Sequence, residues 1–142
     1  MNYIDKYSGV VGIVYINTIP KKFAVVQTER GFSLPGGGIE ESDTSLELAL
    51  YRELKEELGL NKKDIEIKKT DMEESFIYGK NKTGRNREEA LRSIFLVKSK
   101  TDNLNPEDEE VVNAKWYTYE DAIKVFTWEN SKKTLDKCIK FL

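Results

Sequence analysis

Apolar residues fall in short runs separated by glycine, proline and charge. Val10, Val11, Ile13, Val14, Tyr15 and Ile16 form the first run, broken by Gly12 and preceded by Gly9, and read as a buried strand. Ile19-Pro20-Lys21-Lys22 reads as a turn and Phe23 to Gln27 as a second strand, so a hairpin is expected. Leu46, Leu50, Leu54 and Leu58 repeat every four residues, which predicts a helix from 46 to 58 packed on the core by that stripe. Thr44 or Ser45 suits its N-cap, and Gly59 ends it. Further along, Ile65 to Ile77 carries β-like segments, Tyr78 to Glu89 reads as a loop, and Ser93 to Val97 as a strand. Asn105 to Glu110 reads as an acidic loop and Val111 to Tyr117 as another strand. Tyr119 to Phe126 and Ser131 to Leu142 read as two amphipathic helices. Mixed strands and helices with an early hairpin predict an α/β sandwich on a mixed sheet.

Composition narrows the chemistry. The 142 residues, with no repeat or linker, are expected to form one domain, 1–142. There is no histidine and one cysteine. That excludes Ser-His-Asp and Cys-His nucleophile systems and His- or multi-Cys zinc sites. A metal held here is expected to be a hard cation, Mg2+ or Mn2+, on carboxylate and carbonyl oxygens. Cys138 reads as a small core residue, and a reducing, cytoplasmic setting is expected. The first residues carry no long apolar run, so no signal peptide is expected, and no stretch suits a membrane span. The 23 basic and 25 acidic residues give −2, which argues against a duplex-DNA footprint.

The acids are not evenly spread. Glu53, Glu56 and Glu57 stand at i, i+3 and i+4, so a helix gathers them on one face beside the leucine stripe. Like charges so placed repel, more strongly where burial lowers the effective dielectric, and a divalent cation reverses that repulsion. A solvated charged face explains the same spacing. Leu34-Pro35-Gly36-Gly37-Gly38 lies just upstream, and its glycines permit close backbone approach to a ligand. A plain turn explains them equally well.

Together these segments resemble the Nudix hydrolase family, whose box reads Gly-x5-Glu-x7-Arg-Glu-U-x-Glu-Glu-x-Gly-U, with U a bulky aliphatic. Arg52, Glu53, Leu54, Glu56, Glu57, Gly59 and Leu60 match its second half at every defined position. The first half departs. Counting back from Arg52 puts Gly38 at the box glycine and Thr44 at the glutamate. Counting forward from Gly37 gives Asp43, with one residue inserted before the helix; that count is preferred, and it also places Glu40 at the family's frequent upstream glutamate. The C-terminal segments Lys115-Trp116, Glu120-Asp121-Ala122 and Trp128 to Leu142 are loosely similar to those of dinucleoside tetraphosphate hydrolases.

The resemblance implies a Nudix α/β/α sandwich with a mixed sheet. It implies metal-dependent hydrolysis of a phosphoanhydride in a nucleoside triphosphate or dinucleoside polyphosphate. RNA 5′ ends and ADP-ribose are alternative substrates, and a non-catalytic nucleotide-binding regulatory module is the alternative class. The implied catalytic set is Arg52, Glu53, Glu56 and Glu57. Glu53, Glu56 and Glu57 would ligate Mg2+ or Mn2+ with a carbonyl of Gly37 or Gly38. Glu53 is favoured as base within the box, and Glu109 or Glu110 from a later loop. Arg52 would orient Glu56 or bridge to Asp43. Lys80, Lys82, Arg85, Arg87 and Arg92 are phosphate-contact candidates, with Arg85 and Arg87 favoured. Phe32, Phe76, Tyr78 and Trp128 are stacking candidates, with Phe32 and Tyr78 favoured. Trp116 reads as core. A small nucleotide is the expected partner, with no membrane, and the oligomeric state is open.

Overall fold

Among residues 6–77 and 89–142, which a computed structural model describes, seven strands and three full helices build the fold. The strands are β1 (Gly9–Ile16), β2 (Lys22–Thr28), β3 (Gly31–Ser33), β4 (Gly36–Gly38), β5 (Ile65–Ile77), β6 (Glu89–Ser99) and β7 (Val111–Thr118). The helices are α1 (Leu46–Leu58), α2 (Tyr119–Val125) and α3 (Glu129–Ile139), with a short 3-10 turn at Lys62–Asp64. The sheet runs β3-β2-β1-β6-β5, with β4 on β1 and β7 on β2. β1 and β6 are parallel from Gly9↔Arg92 to Tyr15↔Lys98, and the other pairs are antiparallel. The sheet is therefore mixed, as expected.

Alternation along the central strands divides the core. Val10, Val14, Ala24, Val26, Phe95 and Val97 face α1 and meet Leu46, Ala49, Leu50, Leu54 and Leu58. Val11, Ile13, Phe23, Val25, Ile94 and Leu96 face the other way and meet Ala122, Phe126, Leu135 and Cys138. Helices on both faces make the α/β/α sandwich. Leu50, Leu54 and Leu58 are fully buried. Burying each such side chain contributes about 1.5–3 kcal/mol, which anchors the acidic side of α1 beside the sheet.

Several boundaries differ from the sequence reading. The glycine triplet is not a free turn. It is β4, paired antiparallel to the first half of β1 (Gly9↔Gly38, Val10↔Gly37, Val11↔Gly36), while β2 pairs with the strand's other end at Tyr15 and Ile16. β5 is one thirteen-residue strand, and β6 starts four residues before Ser93 and ends at Ser99. Pairing of β5 with β6 over most of their length supplies ladder bonds that their polar residues do not advertise. α3 begins at Glu129 and stops at Ile139. Trp116 is only partly buried, and its indole N–H donates to the Asp102 carbonyl at 2.8 Å. Cys138 is buried.

The ends of α1 place it precisely in register with its surroundings. Ser45 is the N-cap, accepting the Leu48 N–H at 3.1 Å. At the other end Gly59 adopts φ 70°, and the Gly59 and Leu60 N–H groups return to the Lys55 and Leu54 carbonyls. A Cβ on Gly59 would lie 2.1 Å from the Asn105 carbonyl oxygen, so glycine also admits the acidic loop. That loop caps the helix by backbone: the Asn105 N–H reaches the Leu58 carbonyl, and the Glu107 and Asp108 N–H groups both reach the Glu56 carbonyl.

Candidate active site

Arg52 organises the site. Its Nε and Nη2 donate to the two oxygens of Asp43 at 3.2 and 2.7 Å. Nη2 also donates to the Gly38 carbonyl at 2.9 Å, and Nη1 to Glu53 Oε1 at 2.9 Å. Glu40 and Glu56 lie farther out, 3.4 and 3.5 Å from Nη1. Asp43 also accepts the Glu40 N–H at 2.8 Å. Asp43, not Thr44, therefore takes the box-glutamate position opposite Arg52. The forked contact holds the Asp43 carboxyl below the usual carboxylate range, against the opposing effect of burial.

The three helix glutamates have different surroundings. Glu57 accepts the Gly36 N–H at 2.7 Å, and burial pushes it up to about 8. The Gly36 bond and the charge of Arg92 oppose that rise, while Glu53 and Asp108 reinforce it. Glu53 is also raised by burial, with Arg52 working against the shift. Glu56 is the most open of the three, its side chain 43% exposed. Gly37 is pressed against Glu53: a Cβ there would lie 2.5–2.8 Å from all three carboxyl atoms. The middle glycine is thus required for close approach.

These contacts bear on a divalent cation. Among the described residues no three acidic side chains stand grouped for a metal ion. Glu53 and Glu56 turn to Arg52, and Glu57 turns to the Gly36 N–H. The donor set fits a hard cation nonetheless. It offers carboxylate oxygens only, and two of them sit in surroundings that penalise their negative charge. The Gly38 carbonyl is engaged by Arg52.

In the later loop the Asp108 N–H is held by the Glu56 carbonyl at 2.9 Å, and the Asp108 charge adds to the rise at Glu57. Glu109 and Glu110 line a separate cleft of about 350 Å³ with Thr28, Glu29, Arg30 and Val112. Only contact between the loop and the end of α1 distinguishes these neighbours, and one sequence does not carry that. Phe32 is partly buried among the residues beneath α2 and α3, its backbone paired with Thr127, while the adjacent Trp128 is 43% exposed. Tyr78, Lys80, Lys82, Arg85 and Arg87, and the side chain of Phe76, lie outside the described residues.

The NUDIX domain model matches residues 6–138. The chain belongs to the NUDIX domain family. It is 45% identical over 64 residues to an RNA pyrophosphohydrolase of Photobacterium profundum, covering 44% of this chain and 36% of that protein. The chain thus spans little more than a third of the length of the curated relatives it matches. The Nudix fold is shared with a C. elegans Ap4A hydrolase in a binary complex (23% identity, TM-score 0.75, 94% and 95% of the two chains covered). It is shared also with the Nudix domain of Shewanella oneidensis NrtR complexed with ADP ribose (16% identity, TM-score 0.77, 96% and 88% covered).

Proposed function

We propose that this Nudix chain is a metal-dependent pyrophosphohydrolase that cleaves a phosphoanhydride bond in a nucleoside polyphosphate. The observation that carries the reading is a pair of carboxylates, Glu53 buried and Glu57 half-buried, set against the glycine strand and backed by the Arg52–Asp43 fork. Burial of this kind costs stability unless a cation compensates it. Glu53, Glu56 and Glu57, with the Gly37 carbonyl, would hold Mg2+ or Mn2+. When bound, that ion would neutralise charge on the polyphosphate and acidify a water for attack. Arg52 keeps Glu53 and Glu56 on one side of the helix. Glu53, whose proton affinity burial raises, would accept the proton of the attacking water.

Identity to RNA pyrophosphohydrolases favours a second substrate, the triphosphate at an RNA 5′ end. Purified protein with Mg2+ or Mn2+ is to be assayed on nucleoside triphosphates, dinucleoside polyphosphates, ADP-ribose and a 5′-triphosphorylated RNA, with products identified. Cleavage of a triphosphate or dinucleoside polyphosphate is expected. Tight binding without cleavage of any member would replace the enzyme with a nucleotide-binding module.

Metal binding has its own signature. The folded-state pKa of Glu57 lies near 8, above the ordinary value of 4.5. Its contribution to stability is full below 4.5 and is lost as pH rises through 8, because folding then holds a buried charge. In chelator the melting temperature is expected to fall between pH 5 and 8, and Glu57→Gln to flatten that slope. Mg2+ is expected to raise melting more at pH 8 than at pH 5. An equal rise at both values would count against cation binding at these carboxylates.

A further inference from the structure

Arg92 stands on β6 directly beside Gly9 of β1. A Cβ on Gly9 would lie 3.3 Å from Arg92 Cγ and 2.6 Å from the Gly37 carbonyl oxygen. The arginine stem and the glycine strand backing Glu53 therefore flank one point on β1. Across the other strand boundary, Arg92 faces Glu74 of β5 in register, with Nη1 3.6 Å from Oε1. Glu74 is buried, its side chain 8% exposed, whereas that of Arg92 is 31% exposed. Thr134 of α3 donates to the second Glu74 oxygen at 2.6 Å, and Lys137 on the next turn donates to the Glu73 carbonyl at 2.7 Å.

A polyphosphate entering beside Glu53, Glu56 and Glu57 needs positive charge from the protein as well as from a cation. Arg52 is committed to Asp43, Gly38 and Glu53. Arg92 has the side chain that matches phosphate oxygens in a fork, partial exposure, and a buried partner that limits its rotation. We propose that Arg92 contacts a phosphate of the bound nucleotide, and that Glu74, fixed by Thr134, is the positioning residue that aims it. The nature of the substrate rests on the hydrolase reading. The consequence is that α3, on the far face of the sheet from α1, helps to set nucleotide affinity.

The test compares the parent chain with Arg92→Lys, Glu74→Gln, Thr134→Val and the double variant Arg92→Met/Glu74→Gln. The double variant leaves no buried carboxylate without its partner, and Lys100→Ala serves as a surface-charge control. Calorimetry with a non-hydrolysable methylene analogue of ATP and Ca2+ gives Kd. Steady-state assays on the preferred panel substrate give KM and kcat, and melting monitors the fold. Arg92→Lys is expected to raise Kd and KM about tenfold with little change in kcat or melting, because charge survives and the fork is lost. Glu74→Gln and Thr134→Val should raise KM less, and Arg92→Met/Glu74→Gln should raise it at least as much as Arg92→Lys. Parent-like Kd in both Arg92 variants overturns the proposal while leaving the hydrolase reading intact. A parent that binds the analogue but cleaves no panel member overturns the hydrolase and leaves the Arg92 test standing. A parent that binds no analogue overturns the Arg92 proposal and leaves the hydrolase reading to the cleavage panel.

Discussion

Glu56→Gln is expected to cut turnover by about a hundredfold or more while leaving the fold unchanged. Loss even of an outer group supporting a bound metal costs roughly 10–100-fold, and Glu56 is proposed as a direct ligand. The side chain is 43% exposed and its contact with Arg52 is long, at 3.5 Å. An exposed pair of that kind contributes at most about 0.5 kcal/mol, so melting should move by no more than ~2 °C. The neutral amide keeps the shape and one oxygen but removes the charge that a divalent cation requires. The decisive measurements are kcat at saturating Mg2+ beside a melting curve. Turnover within a few-fold of the parent would remove Glu56 from the metal-binding set.

The largest expected loss of stability is at Asp43. Its side chain is 5% exposed and takes both the Arg52 fork and the Glu40 N–H. Breaking a buried pair by removing one partner costs about 3–5 kcal/mol. For a chain of this size that lowers melting by roughly 10 °C. Asp43→Ala should therefore melt well below the parent at pH 7, with turnover falling too because Arg52 no longer fixes Glu53. Asp43→Asn adds a test of sign. The folded carboxyl lies below its ordinary value, so its ionised form stabilises above about pH 4 and that contribution is lost as pH falls through the folded value. The gap in stability between parent and Asp43→Asn should be full at pH 7 and shrink towards pH 3. A gap independent of pH would show that the pairing is not ionic. Asp43→Glu restores the residue type of the family box and should retain most of the stability.

What could be read from the chain follows from how local each signal is. The leucine stripe, Ser45 and Gly59 act within α1 or one residue of its ends, and all of them stand as the periodicity implied. The one-residue insertion before the helix could be counted, and Asp43 sits opposite Arg52 as the preferred count required. The glycine triplet could not be recognised as a strand, because its partner lies more than twenty residues earlier and three glycines carry no β preference. The start of β6 was equally hidden, since Glu89 to Arg92 is held extended by its pairing with β5 and, at Arg92, with β1. Which of Asp108, Glu109 and Glu110 meets α1 was hidden for the same reason, since the three look alike until the backbone at the helix end holds Asp108.

The loop from Asn105 to Asp108 is joined to α1 by main-chain N–H groups at residues 105, 107 and 108. Its position thus depends on the backbone, not on the identity of the side chains it carries. Mutation can change the charge, length or chemistry presented beside Glu57 without dislodging the segment that presents it. Such a segment can change its side chains at Glu107 and Asp108 while Gly59, where any side chain would collide with the loop, has to stay as it is.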